Sequence, residues 1–206
     1  MVVYRLHYFE NLGARVEAAR IILAYGNIPY EQVDIPDEEW PKVKANYPHG
    51  CLPILEEDGK VLTESTAIAR YFAKKLDLLG KTDWEAAQSD SYVSTIEDAV
   101  AALKRANLYY EHIFGERSEQ SASKAAEVLR PFLERLEKHL VTTNGENLVG
   151  NQLTWADLAI GDLYNRFCIT IPHLLDEFPR VKKLTIHVYN LPGVKEYVAK
   201  RKIGNF

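Results

Sequence analysis

Between residues 3 and 80 the apolar positions change period several times. Val3 to Phe9 is a dense apolar and aromatic run of strand length. Val16, Ala19, Ile22, Leu23 and Gly26 then recur at three- and four-residue spacing, the mark of a helix with one buried face, and Tyr30 to Ile35 is strand-like again. This order is a β-α-β unit. Next, Leu52-Pro53-Ile54-Leu55 and Val61-Leu62 flank Glu57-Asp58-Gly59-Lys60. Asp-Gly favours a tight hairpin turn because both of its residues tolerate positive φ, so two antiparallel strands are expected there. Ser65 is then read as the N-cap of a helix whose apolar stripe is Ile68, Tyr71, Phe72, Leu76 and Leu79.

A β-α-β unit followed by β-β-α gives a mixed four-stranded sheet, because the parallel crossover must be covered by helix and the hairpin adds an antiparallel edge. The predicted layout is thioredoxin-like, an α/β part followed by an all-α part. From Thr82 onward the strand signals stop. Val93, Ile96, Val100 and Leu103, then Val128, Leu129, Phe132, Leu136 and Leu140, recur at helical spacing. Gly80-Lys81-Thr82-Asp83 is the polar junction, so the domains are set at 1–80 and 83–206. Thr154-Trp155-Ala156-Asp157 has the spacing of a capping box, with Asp where Glu or Gln is commoner. We read it as a folding signal.

Composition narrows the function. The formal charge is -4 over 206 residues, with basic and acidic side chains interspersed, which argues against nucleic acid or an anionic membrane as the main partner. Two cysteines, Cys51 and Cys168, far apart and without a CxxC, suggest neither a disulfide framework nor a zinc site. The first residues hold no apolar run of signal-peptide length, and no stretch approaches the roughly 18 apolar residues of a membrane span. A reducing aqueous compartment, the cytoplasm, is expected, with no metal requirement.

Three places could carry chemistry. Pro53 heads a strand, where it cannot donate to a ladder; an ordinary loop proline and a cis Leu52–Pro53 bond both fit, and the cis form would turn the Leu52 backbone outward toward an extended peptide. Glu64-Ser65 sits at a strand-to-helix junction. Free N–H groups and the dipole there suit a carboxylate, and Glu64 suits an ammonium, although a plain N-cap beside a solvated Glu explains the same residues. Tyr8 ends the first strand near the turn at Gly13; as one of 12 tyrosines it reads, by composition alone, as a packing residue.

Together these residues resemble the cytosolic glutathione transferases, most closely the sigma-like group that includes invertebrate enzymes and glutathione-dependent prostaglandin D synthases. The resemblance spans the chain and is carried by Tyr4-Arg5-Leu6-His7-Tyr8-Phe9 with Gly13, Glu39-Trp40-Pro41 with Lys44, and Pro48-His49-Gly50-Cys51-Leu52-Pro53-Ile54-Leu55. Glu64-Ser65-Thr66-Ala67-Ile68-Ala69-Arg70-Tyr71 and the Thr154–Asp157 box complete it. The resemblance implies Tyr8 as the hydroxyl that hydrogen-bonds the glutathione sulfur, with Arg15 as a second catalytic group polarising the thiolate. Trp40 and Lys44 would hold the glycyl carboxylate, the Leu52 backbone before a cis Pro53 would pair with the cysteinyl part, Cys51 would line the same glutathione site with a weakened contact, and Glu64 and Ser65 would take the γ-glutamyl end. Asp98 would reach the γ-glutamyl ammonium in the neighbouring subunit of a homodimer.

The chain also departs from that group's pattern. The segment from Glu10 to Glu17 is one residue longer, Leu12 replaces an arginine, Cys51 stands for Gln or Lys, and Glu64 for Gln. His49 occupies a place where some classes carry an aromatic key between subunits. The leading expectation is conjugation of glutathione to an apolar electrophile in detoxification, with Phe9, Leu12, Arg105 and Phe206 as wall candidates. Isomerisation of a prostaglandin endoperoxide or reduction of a lipid peroxide would use the same thiolate. A non-catalytic crystallin-like or carrier protein is the alternative from another class.

Overall fold

The computed structural model describes residues 2–109, 118–171 and 173–201, apart from the side chains of 164–170. Phe206 and the side chain of Cys168 therefore lie outside the described residues. The chain divides into two compact units, one formed by the residues up to Leu76 with the stretch that begins at Pro192, the other running from Asp77 to Leu191.

In the first unit, β1 (Tyr4–Phe9), α1 (Glu17–Tyr25) and β2 (Glu31–Ile35) form the expected β-α-β unit, followed by the short helix α2 (Trp40–Val43). β3 (Ile54–Glu57) and β4 (Lys60–Thr63) form the hairpin, and α3 (Ser65–Lys75) follows. The sheet order is β2-β1-β3-β4; β1 is parallel to β2 and antiparallel to β3. Asp58 and Gly59 both have positive φ, 46° and 79°, as the Asp-Gly signal required. Leu6 lies opposite Leu55, and both are buried with Ile22, Leu23, Ile68 and Phe72, where α1 packs against α3.

Two details differ from expectation: Leu76 and Leu79, read as part of the apolar stripe of α3, follow its last residue, Lys75, and the start of the helix is shifted. Ser65 is the first residue of α3, and Glu64 takes the N-cap position with no side-chain cap bond. Glu64 has φ 69° and ψ 115°, a strained conformation for a residue with a Cβ, which turns the chain from β4 into the helix. The last helix, α8 (Val194–Lys200), belongs to this unit and packs on α1. Gly193 makes that approach sterically feasible, since a Cβ there would lie 2.2 Å from the Ala24 carbonyl oxygen.

Among its described residues the second unit holds no strand. α4 (Asp83–Arg105) starts with Thr82 Oγ1 accepting from Glu85 N at 3.1 Å, and α5 (Glu119–Thr143) with Ser118 Oγ accepting from Ser121 N at 3.0 Å. Ala125, Leu129, Leu133, Leu136 and Leu140 make the buried stripe of α5. Phe132, expected in that stripe, is only half-buried, with the Arg135 guanidinium 4.6 Å from its ring centroid. Leu133, buried, takes the core place instead; both residues stand three or four positions from Leu129 and Leu136, so spacing alone does not choose between them.

α6 (Trp155–Thr170) begins within the Thr154–Asp157 box, directly after Thr154. Asp157 is fully buried: Oδ2 accepts from Thr154 N at 2.7 Å and Thr154 Oγ1 at 2.8 Å, and Oδ1 accepts from Leu148 N at 2.7 Å. The box thus does more than cap a helix, because it also ties down the loop before it. α7 (Pro179–Asn190) has no side-chain cap of its own. Glu137 of α5 supplies one, accepting from Arg180 N and Val181 N at 3.0 Å through Oε2.

Candidate active site

Strand register gathers the chemistry-bearing residues of the first unit at one end of the sheet. His7 on β1 lies opposite Ile54 on β3, and Ile54 opposite Thr63 on β4. One step beyond those partners stand Tyr8 at the end of β1, Pro53 before β3 and Glu64-Ser65 after β4. Residues far apart in the chain therefore share one rim because the sheet registers them there. The Leu52–Pro53 bond is cis.

Aromatic packing brings α2 to the same rim. Phe9 meets Trp40 edge-on at 5.5 Å between ring centroids, and Trp40 meets Tyr47 at 5.4 Å. Lys44 is exposed and runs over Gly50, where a Cβ would sit 3.1 Å from Lys44 Cε. Its ammonium stem is thus held beside the segment Gly50-Cys51-Leu52. Cys51 is half-buried, its thiol 3.9 Å from the Pro48 carbonyl.

Tyr8 is 4% exposed despite its place at a strand end. Phe9 stands edge-on to its ring at 5.5 Å, and the Arg20 guanidinium lies 5.8 Å from its centroid. Arg15 falls in the 3-10 turn Ala14–Val16 that leads into α1. Ser65 is buried, and the first N–H groups of α3 have no side-chain cap, which leaves a helix end suited to an anion. Asp98 is exposed on α4 in the second unit and Arg105 ends that helix.

Sequence patterning did not single out His7, Tyr47, Glu17 or Arg20. His7 Nδ1 is 3.2 Å from Tyr47 OH and Nε2 is 3.4 Å from Glu56, and burial holds the imidazole below its usual pKa against the pull of Glu56. This ties the rear of β1 to the aromatic group around Trp40. Glu17 and Arg20 were legible in principle, as charges at three-residue spacing on the apolar face that Val16, Ala19 and Leu23 define. No helix among the described residues is long and apolar enough to cross a membrane, and no group of His, Cys, Asp and Glu among them could hold a metal ion.

A sheet rim with a buried tyrosine, a cis-proline loop and an uncapped helix end defines a thioredoxin-like domain joined to a helical one. Residues 12–78 match the family model described as glutathione S-transferase, N-terminal domain, and residues 102–201 match glutathione S-transferase, C-terminal domain. A glutathione S-transferase of Ascaris suum is 36% identical over 204 residues, covering 98% of each chain. The hematopoietic prostaglandin D synthase of Mus musculus is 34% identical over 201 residues, 96% of each. The crystal structure of the glutathione S-transferase from Ascaris lumbricoides superposes with a TM-score of 0.86 at 35% identity, over 96% of this chain and 97% of that one. The chain belongs to the glutathione S-transferase family.

Proposed function

We propose that the protein is a glutathione transferase in which Tyr8 donates a hydrogen bond to the glutathione sulfur and holds it as thiolate. The observation that carries this reading is the rim itself, since one register brings Tyr8, the Leu52–Pro53 segment and the Glu64–Ser65 junction together. Glutathione is an extended peptide with two carboxylates, one ammonium and one thiol, and the rim offers a partner type for each. Lys44 and Trp40 provide a cation and an indole N–H for the glycyl carboxylate. The backbone of Leu52, between Cys51 and Pro53, suits the cysteinyl part. The open N–H groups at Ser65 suit the γ-glutamyl carboxylate, and Glu64 suits its ammonium.

The chemistry asked of Tyr8 is modest. A thiol of pKa about 8.5 is only a few per cent ionised at pH 7. A hydrogen bond to a charged acceptor contributes roughly 1.5–3 kcal/mol, or about one to two pKa units, which ionises a large share of it. The attacking group then belongs to the cosubstrate, so no covalent enzyme intermediate and no metal enter the reaction. Arg15 adds positive charge beside the same thiolate.

The finer assignments follow from the resemblance: a sigma-like enzyme of the cytoplasm, working as a homodimer in which Asp98 completes the neighbouring site. The likeness to a prostaglandin D synthase favours one second reading, isomerisation of a prostaglandin endoperoxide by the same thiolate. The test is calorimetric titration with glutathione beside turnover of chlorodinitrobenzene and of a prostaglandin endoperoxide. Micromolar to millimolar binding with conjugation supports transfer, binding with endoperoxide turnover alone supports the isomerase, and failure to bind glutathione removes both.

A further inference from the structure

Glu17 is fully buried and Arg20 is 7% exposed, on a helix that is otherwise apolar on that side. A buried charge persists only where other polar groups compensate it, so the partners of this pair matter. Glu17 Oε1 accepts from Tyr197 OH at 3.0 Å and from Arg201 Nη1 at 2.5 Å, both on the last helix or at its end. Glu17 Oε2 faces Arg20 Nη1 at 3.4 Å, a long contact for an ion pair. Arg20 makes its shorter bonds elsewhere. Nη1 donates to the Leu12 carbonyl at 2.8 Å and Nε to Gln32 Oε1 at 3.2 Å, while the guanidinium carbon stands 5.8 Å from the Tyr8 ring centroid. Leu12 lies two residues before the 3-10 turn that carries Arg15. The last helix therefore holds Glu17, and Arg20 faces the Tyr8 ring and the turn beside it.

We propose that Tyr197 and Arg201 are positioning residues for Tyr8, because by holding Glu17 they keep the Arg20 cation on the Leu12 carbonyl and over the Tyr8 ring. A cation there favours the electron-rich phenol and strengthens the hydrogen bond its hydroxyl donates. If Arg201 is removed, the buried Glu17 carboxylate loses the cation at 2.5 Å and draws Arg20, now 3.4 Å away, closer to itself and away from Tyr8. The inference rests on the reading of Tyr8 as thiol activator and adds a remote control to it. The charged and titratable groups around this network include Glu17 and Arg20 on α1, Arg15 in the preceding turn, Tyr30 just before β2, Asp34 on β2, and Tyr197 and Arg201 at the chain's last helix. Burial pushes the Tyr30 and Tyr197 phenols up, so both stay neutral through the working range. The charges that set the field are then Glu17, Arg20, Arg201, Arg15 and Asp34.

The experiment uses Arg201→Met and Tyr197→Phe, with Lys200→Met as an exposed control on the same helix. Two titrations are read for each protein: the Tyr8 phenol by NMR without glutathione, and the bound thiol by its thiolate absorbance. Arg201→Met is expected to raise both apparent pKa values by about 0.5–1, so that the thiolate fraction below neutrality falls roughly three- to tenfold. KM for glutathione stays within about twofold, because no contact to the peptide is removed. Tyr197→Phe moves both titrations in the same direction by less, and it carries the test alone if Arg201→Met does not fold; Lys200→Met moves neither. If Arg201→Met or Tyr197→Phe lowers activity equally at every pH, or leaves it unchanged, with both titrations unmoved, the positioning role is wrong. Because the phenol titration needs no glutathione, a wild type that fails to bind glutathione overturns the proposed function separately.

Discussion

Replacing Asp157 with Ala should destabilise the protein by about 4 kcal/mol at pH 7. The carboxylate satisfies two backbone N–H groups, Leu148 at 2.7 Å and Thr154 at 2.7 Å, at positions where Leu148, Thr154 and Asp157 are all buried. Each orphaned donor costs about 1–3 kcal/mol, and the Thr154 hydroxyl also loses its acceptor. With an unfolding entropy near 2 cal/mol/K per residue, the loss corresponds to a fall in Tm of roughly 9 °C for a chain of this length. The pH dependence has a definite sign. Burial pushes the Asp157 carboxyl up to about 6, against the hydrogen bonds from Leu148, from Thr154 and from its own backbone that pull it down. In the window between about 4 and 6 the folded protein then binds a proton that the unfolded chain has released, so acidification through that window favours the folded state. The gap between wild type and Asp157→Ala should therefore widen by about 1 kcal/mol from pH 7 to pH 5. Urea unfolding followed by circular dichroism at both pH values reads it. A gap under about 1 kcal/mol at pH 7 refutes the buried-acceptor argument, and a gap that narrows on acidification means the carboxyl is held ionised.

Two further perturbations follow from the same structure. Glu137→Ala removes the carboxylate that accepts from Arg180 N and Val181 N, and should cost about 1–2 kcal/mol in urea unfolding, as loss of a helix cap does. A loss of less than a few tenths would show that solvent replaces this cap. Gly193→Ala places a Cβ 2.2 Å from the Ala24 carbonyl oxygen at a φ of 79°, so α8 should lift from α1 and the tail become the first site of limited proteolysis. Wild-type resistance in that variant would mean the backbone adjusts at little cost.

The sheet was legible in the sequence because its signals are local: the run from Val3 to Phe9, the helical spacing after Val16 and the Asp58-Gly59 turn each fix an element without help from the rest. The helical half was legible for the same reason, down to the Thr154–Asp157 box. Ser65 was placed one position off because the turn into α3 depends on the strained backbone of Glu64, and no residue type announces that conformation as glycine would. Phe132 was misplaced because adjacent apolar residues, Phe132 and Leu133, compete for one core position that only the packing decides. The site shows the same division. Tyr8, Trp40, Lys44 and Glu64, the residues proposed for the site, were singled out through ordered motifs, whereas the link from Glu17 to Arg201 escaped because it joins residues about 180 positions apart.

The central claim is that the Tyr8 hydroxyl lowers the pKa of bound glutathione. The most direct measurement is the thiolate absorbance of glutathione bound to wild type and to Tyr8→Phe, titrated with pH. The account predicts a bound-thiol pKa about one to two units below that of free glutathione in wild type, returning toward the free value in Tyr8→Phe, with glutathione affinity little changed. Equal thiol pKa values in the two proteins, each bound to glutathione, would contradict it.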